Sequence, residues 1–421
     1  MDARLQKIVE EAQIKFGLEN YQLGTSEIYK ERDIRGKAFY NFTMEWYPLE
    51  SVESLEEDLN PDGTAIIEYH IQKEQFTDVT FVQSKSFSTV TQFPNKTVEE
   101  VSAWLEEVWG NNFQHAFKLV EEDANSFRFV SSAVEGVGMS PSITIEVKFD
   151  GEGKLISYYT PGLNEVGEGV RKSSFTLTLE EIEPLVKKQL QLVHYPSEIE
   201  NRFKPIYAME EVFVTVEDAR VIPFMDDERT QVQIDEVIEW TGTSTEEIRH
   251  EVIPVLRIAS ADEAFGNEDV EKSLKLTTEQ IEQSKVIVQN VFSSLYAGEN
   301  GLWQLENLRF ERENFIEAHC RKNDETAPFE RKAVVFIDPE NMSVINIVDN
   351  EALFEIIDTF DPAEPVVVTH EEAFEKLISY IGLDPTYVYD IETGQYVLCG
   401  LLDAAEGVDA VTGEIISLAE F

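Results

Sequence analysis

Apolar residues recur along this chain at two periods, and each period predicts a different element. At the helical period, "MDARLQKIVEEAQIKFG" places Leu5, Ile8, Val9, Ala12 and Phe16 on one face, with Gly17 ready to end the helix. Four later stretches open with Thr and carry Glu or Gln three residues on, just before an apolar stripe. They are "TVEEVSAWLEEVW" from Thr97, "TLEEIEPLVKKQL" from Thr178, "TTEQIEQSKVIVQNVF" from Thr277 and "THEEAFEKLISYIG" from Thr369. In such a capping box the Thr hydroxyl satisfies one orphan N–H of the first turn, and the Glu or Gln reaches back to the Thr N–H. Val101, Trp104, Leu105 and Val108 then share a face, as do Phe374, Leu377, Ile378 and Ile381. Pro184 falls inside the second pattern, so that helix is either kinked or begins beyond Thr178.

At the strand period, alternation marks "KAFYNFTMEWYP" and, after "NPDG", "TAIIEYHIQ" and "DVTFVQSK". Two-stranded patterns follow in "ITIEVKFDGEGKLISYYTPG" and "RKAVVFIDPENMSVINIVD". Further strands are predicted in "VFVTVEDARVIPF", "VQIDEVIEW", "VIPVLRIAS" and "EGVDAVTGEIISL". Aspartate opens several of the turns. Its carboxylate can accept a backbone N–H about two residues on, and a following Gly or Asn supplies the positive φ that closes a hairpin. Gly153 follows Asp150, Asn341 follows Asp338, Gly394 follows Asp390 and Gly413 follows Asp409. These aspartates are read as hairpin braces; carboxylates converging on a metal or substrate are the alternative.

The landmarks recur in the same order. Thr97 and Thr277 lie 180 residues apart (277 − 97), and Thr178 and Thr369 lie 191 apart (369 − 178). Asp218–Ala219 and Asp409–Ala410 share that second offset. Recurrence of this length is the mark of an internal repeat. The predicted fold is α+β: tandem repeated units, each a helix packed on an antiparallel β-sheet. The expected division is an N-terminal helix-plus-sheet unit over 1–90, a first repeat half over 91–230, an acidic connecting segment with strands over 231–275, and a second repeat half over 276–421.

A capped helix, two or three antiparallel strands, an Asp-led hairpin and the closing "VDAVTGEII" together resemble the PepSY-like YcdB/YcdC repeated domain. The "DA-x-TGE" pattern from Asp409 to Glu414 carries most of that resemblance. In the first half "EDARVIPF" keeps Asp218 and Ala219 but lacks the Thr-Gly-Glu. The resemblance implies helices packed on antiparallel sheets. It carries over no catalytic residue, and related PepSY domains in peptidase propeptides point to inhibition or protein binding.

Charge narrows the function. The chain has 421 residues, 82 acidic and 34 basic, for a formal net charge of −48. Nucleic acid and anionic membrane surfaces need clustered Lys and Arg, and only short pairs such as Lys187–Lys188 and Arg171–Lys172 occur. Solubility explains the excess acid, and a basic protein or peptide partner would exploit it. No EF-hand loop is present. Cys320 and Cys399 form no CxxC, so a zinc or thioredoxin-type site of that kind is not expected. The N-terminal helix lacks the pattern of a signal peptide, and no run of about 18 apolar residues occurs.

Catalytic motifs fail in turn. "THEEAF" has Phe374 where a zincin needs its second His. His319 and Cys320 are strand neighbours that point to opposite faces. His70, His115, His194 and His250 show no ligand spacing, and "GEGVRKSS" and "EGVGMS" match neither a phosphate loop nor a dinucleotide fingerprint. Trp46, Trp104, Trp109, Trp240 and Trp303 are expected mostly in cores. No catalytic, cofactor-binding or metal-binding residue is assigned, and no cofactor is expected. The expectation is a cytoplasmic, non-enzymatic protein that binds a basic protein or peptide, with no nucleic acid or membrane partner. A hydrolase with an unrecognised carboxylate or cysteine site, and an acidic nucleic-acid mimic, are the alternatives.

Overall fold

A computed structural model describes residues 1–33, 37–50, 60–109, 113–131, 136–160, 170–197, 200–224, 231–242, 257–266, 275–311, 315–323, 330–357 and 360–420. The chain divides into two compact units. One is Met1–Val170 with Leu256–Lys272, and the other is Arg171–Val255 with Ser273–Phe421.

The first unit is built on a nine-stranded sheet. Its order is Arg257–Ile258, Tyr21–Arg32, Ala38–Pro48, Ala65–His70, Gln75–Phe81, Leu155–Tyr159, Thr144–Phe149, Ser126–Ser131 and Phe117–Asp123. Every neighbouring pair is antiparallel. The alternation sends Phe42, Met44, Trp46, Ile67, Val79, Phe81, Ile145, Val147 and Tyr158 into one core. The helix Ala3–Lys15 lays Ile8, Val9 and Ala12 into that core, and the helix Val98–Trp109 adds Val101, Leu105 and Val108. Asp2 caps the first helix through Arg4 N at 2.8 Å, and Gly17 follows it at φ +63°. Phe16, fully buried, meets Phe76 edge-on at 5.0 Å.

In the second unit, Val232–Ile238, Trp303–Glu311, Phe315–Lys322, Lys332–Ile337 and Val344–Asp349 form a five-stranded antiparallel sheet. The helix Thr278–Leu295 packs Val288, Val291 and Phe292 against its core, where Trp303 is completely buried. Elsewhere in this unit Leu190–Ser197, Arg202–Met209, Glu406–Asp409 and Ile415–Ser417 pair in that order. Val212–Thr215 pairs with both Val221–Pro223 and Gln395–Asp403, and the latter pairs with Gly382–Asp390. The helices Glu183–Gln189 and His370–Leu377 share a core through Val186, Ala373, Phe374 and Leu377.

The fold class expected from sequence is overturned. The chain is mostly β, with four sheets, one of them nine-stranded, and eight helices among the described residues. It is not a tandem array of helix-on-sheet repeats. The reason lies in strand pairing. The Asp150 hairpin joins the N-terminal strands, because Asp78–Thr80 pair with Ser157–Tyr159. The corresponding Asp338 hairpin sits in a separate five-stranded sheet. The strands after the second and fourth Thr boxes interleave: Ile206 pairs with Asp409, and Phe213 with Leu401. Equivalent sequence landmarks therefore build non-equivalent sheets.

The local chemistry is closer to expectation. Thr277 and Thr369 form complete capping boxes. Thr97 accepts Glu100 N at 3.3 Å, but the Glu100 carboxylate turns instead to Asn95. The helix after Thr178 begins at Glu183, with Pro184 in its first turn where the missing N–H costs nothing. The Asp150 carboxylate accepts Glu152 N and Lys154 N at 2.8 and 2.9 Å; that of Asp409 accepts Val411 N and Thr412 N, both at 2.8 Å. Gly153, Gly394 and Gly413 have φ of +82°, +68° and +74°. In the Asp338 turn Met342, not Asn341, takes the positive φ, at +52°. Asn341 instead bonds Asp338 and Ser343 N through its side chain. Of the strand expected at "VIPVLRIAS", residues 252–256 lie outside the described residues and Arg257–Ile258 is strand.

A Cβ added at Gly153 would lie 2.0 Å from the backbone oxygen of Phe93, whereas one at Gly413 would meet the mobile tip of Lys376 at 2.5 Å. Gly153→Ala is therefore expected to cost about 2 kcal/mol or more, and Gly413→Ala about 1 kcal/mol. Urea titrations of the two variants, followed by tryptophan fluorescence, check the order.

Candidate functional site

Within the second unit a cleft of about 100 Å³ opens beside the Asp218 and Asp390 turns. Its lining includes Arg171, Thr215, Glu217, Asp218, Arg220, Asp390, Thr393 and Leu398. The strand pairing Thr215↔Cys399 brings the two turns together, and Val216 N extends it to Leu398 O at 3.0 Å. Arg171 N adds a bond to Tyr396 O at 2.9 Å.

The floor is a closed set of charge-assisted bonds. Asp390, 3% exposed, accepts Arg220 Nη2 at 2.7 Å and the Thr393 hydroxyl at 3.0 Å on Oδ2, and Glu392 N at 3.2 Å on Oδ1. Arg220 also lies 3.8 Å from Glu392. The Thr215 hydroxyl accepts Arg220 N at 2.9 Å and donates to Asp218. That hydroxyl, with lesser help from backbone N–H groups and Arg220, holds the Asp218 carboxyl below the usual carboxylate range. Removing the arginine from a carboxylate as buried as Asp390 would strand its charge, so Arg220 is structural.

The rim is different. Arg171 meets Glu217 at 2.8 Å, with the two side chains 54% and 58% exposed. Glu392 is 73% exposed, and Asp218 is exposed. Pairs of this kind contribute about 0–1 kcal/mol and exchange partners readily. Two arginines face three lining carboxylates here (Glu217, Asp218, Asp390), and Glu392 approaches Arg220 from beside the cleft. The cleft can therefore offer carboxylate oxygens to a cation, but its floor groups are already committed to one another.

The sequence reading assigned no site residue. Asp390 was expected to open a turn and Asp218 marked only a repeat landmark in a predicted strand; both line this cleft. Arg171, Glu217 and Arg220 carried no sequence signal beyond charge. The other groups weighed from sequence are elsewhere. Cys320 is 1% exposed in the core, and burial pushes its thiol up, away from nucleophilic use. His319, on the opposite face, bonds Glu317 at 2.9 Å; Glu317 also holds Arg309. His370 donates its Nε2–H to Leu190 O, 3.1 Å away. His70 is buried against Phe39, ring centroids 5.2 Å apart, and burial lowers it to about 4. Trp46, Trp240 and Trp303 are buried, and Trp104 and Trp109 pack against the first core. His250, part of "GEGVRKSS" and Glu135 of "EGVGMS" lie outside the described residues. Among the described residues no three His, Cys, Asp or Glu come together to hold a metal ion, and no helix is long and apolar enough to cross a membrane.

One other carboxylate pair stands out. Glu68 and Asp78 are cross-strand partners in the nine-stranded sheet. Burial, then the charges of Asp78 and Glu31, pushes Glu68 up to about 7; burial pushes Asp78 up to about 6. Their neighbours Thr43 and Thr80 donate to them at 3.4 and 2.9 Å, which does not offset the burial.

No family model matches the chain, and no curated protein matches it. Among solved structures it is similar to the Bacillus megaterium YpeB C-terminal domain. The likeness has 11% identity and a TM-score of 0.26, and covers 53% of this chain and 98% of that one. A likeness that weak carries no argument about this protein.

The Glu68–Asp78 pair sets a pH dependence. The folded state keeps a proton on Glu68 that the unfolded chain releases near 4.5, so this pair lowers stability as pH rises from there towards about 7. Glu68→Gln is expected to stabilise the protein by about 1–2 kcal/mol at pH 8 and by almost nothing near pH 4.5. Urea unfolding of both proteins at the two pH values measures the difference.

Proposed function

We propose that this protein is a cytoplasmic, non-enzymatic binding module that takes an arginine- or lysine-bearing peptide segment at the cleft of the second unit. The observation that carries the reading is the rim. Glu217 and Asp218 stand exposed in the lining of one concavity, Glu392 stands exposed 3.8 Å from its Arg220, and the cleft's own cations are held by Asp390 and Glu217. An incoming guanidinium would exchange with the weak Arg171–Glu217 pair and leave the Arg220–Asp390 brace intact. The net charge of −48 adds long-range attraction, which speeds encounter more than it tightens binding. At the cleft the Thr215 and Thr393 hydroxyls donate to the Asp218 and Asp390 carboxylates, and we read these pairs as turn bracing rather than as a hydrolase site.

Calorimetric titration with an acetylated Arg-Gly repeat peptide tests the proposal, with a Glu-Gly repeat as control. Binding of the first peptide alone is expected, weakening from about 50 to about 300 mM salt. The double variant Glu217→Lys/Glu392→Lys should lose affinity about tenfold or more. Glu99→Lys/Glu107→Lys, an equal change of charge on the exposed side of the Val98–Trp109 helix, should stay near wild type. Equal loss in both variants would reduce the effect to net charge and defeat the cleft.

A further inference from the structure

We propose that the strand Phe117–Asp123 is a second recognition surface, at which an extended basic segment adds to the nine-stranded sheet. Among the described residues this strand ends the sheet: Ser126–Ser131 pairs with one side of it and no strand pairs with the other. Phe117 anchors it in the core, stacked on Phe113 at 5.2 Å. Every later residue of the strand is exposed. An edge of this length leaves backbone N–H and C=O groups facing outward, the pattern that an added strand satisfies.

Charge selects the occupant. Leu119 and Val120, 38% and 58% exposed, offer apolar contact, and Glu121, Glu122 and Asp123 follow them. Glu121 is paired with Arg128 at 2.6 Å, which leaves Glu122 and Asp123 as the outward acids. A second copy of this chain is opposed, because antiparallel self-pairing has only Lys118 to set against three acids, and each copy carries −48. The acids that guard this edge against its own kind favour a strand bearing Arg or Lys. Phe117–Asp123 is independent of the cleft, so either proposal can fail alone.

The test uses the Glu217→Lys/Glu392→Lys protein, in which the cleft is disabled. Hydrogen exchange is followed with and without an acetylated peptide of alternating Arg and Val. Slowed exchange of the amides in 117–123 is expected, with no change at Arg257–Ile258, the other edge. Adding Leu119→Lys and Glu122→Lys, both at exposed positions, should abolish the slowing while circular dichroism stays unchanged. Absence of slowing at 117–123, or slowing that survives those two substitutions, overturns the proposal.

Discussion

Antiparallel pairing through tight turns is the constraint on which this structure rests, because a strand that slips by one residue turns its buried face to water. At several hairpins the register is held by an aspartate carboxylate that accepts backbone N–H groups two to four residues on. Asp150, Asp338, Asp390 and Asp409 all act this way. The carboxylate satisfies donors that the turn would otherwise leave open, and a residue with positive φ completes the reversal. Gly153 shows how closely this is packed, since its missing side chain is what lets the turn lie against the backbone of Phe93.

The same use of carboxylates sorts an acidic chain into two populations. Some acids are spent on structure: Asp390 under Arg220, Glu317 between Arg309 and His319, Glu299 beside Lys322 and the Trp303 indole. Others stand in solvent with weak partners or none that matter energetically, as at the cleft rim. The functional proposal follows from that division, since only the second population can change partners without cost to the fold.

Helices and turns were legible in the sequence because their signals are local. The two complete Thr boxes and the Asp turns needed no knowledge of the rest of the chain. The sheets were not legible. Trp303, Leu305 and Leu308 are all buried, but a bulge between Leu305 and Asn307 breaks the two-residue period. Among the described residues Phe117–Asp123 and Leu190–Ser197 are edge strands, and their exposed or half-buried side chains hide the alternation. The repeat was misjudged for a related reason: recurring landmarks report local elements, while fold class depends on which strands pair. The cleft shares that limit. Asp390 could be read as a turn and Asp218 as a recurring landmark, but only the pairing of Val212–Thr215 with Gln395–Asp403 brings them to one place.

The central claim is that a basic segment is recognised by the carboxylates of one cleft, not by acidic surface in general. Photo-crosslinking with an Arg-Gly peptide carrying a benzoylphenylalanine, followed by peptide mapping, addresses it directly. The account expects a set of cross-links within 215–220 and 390–398. Cross-links spread over the chain in proportion to its exposed Asp and Glu, with no enrichment at those two turns, would contradict it.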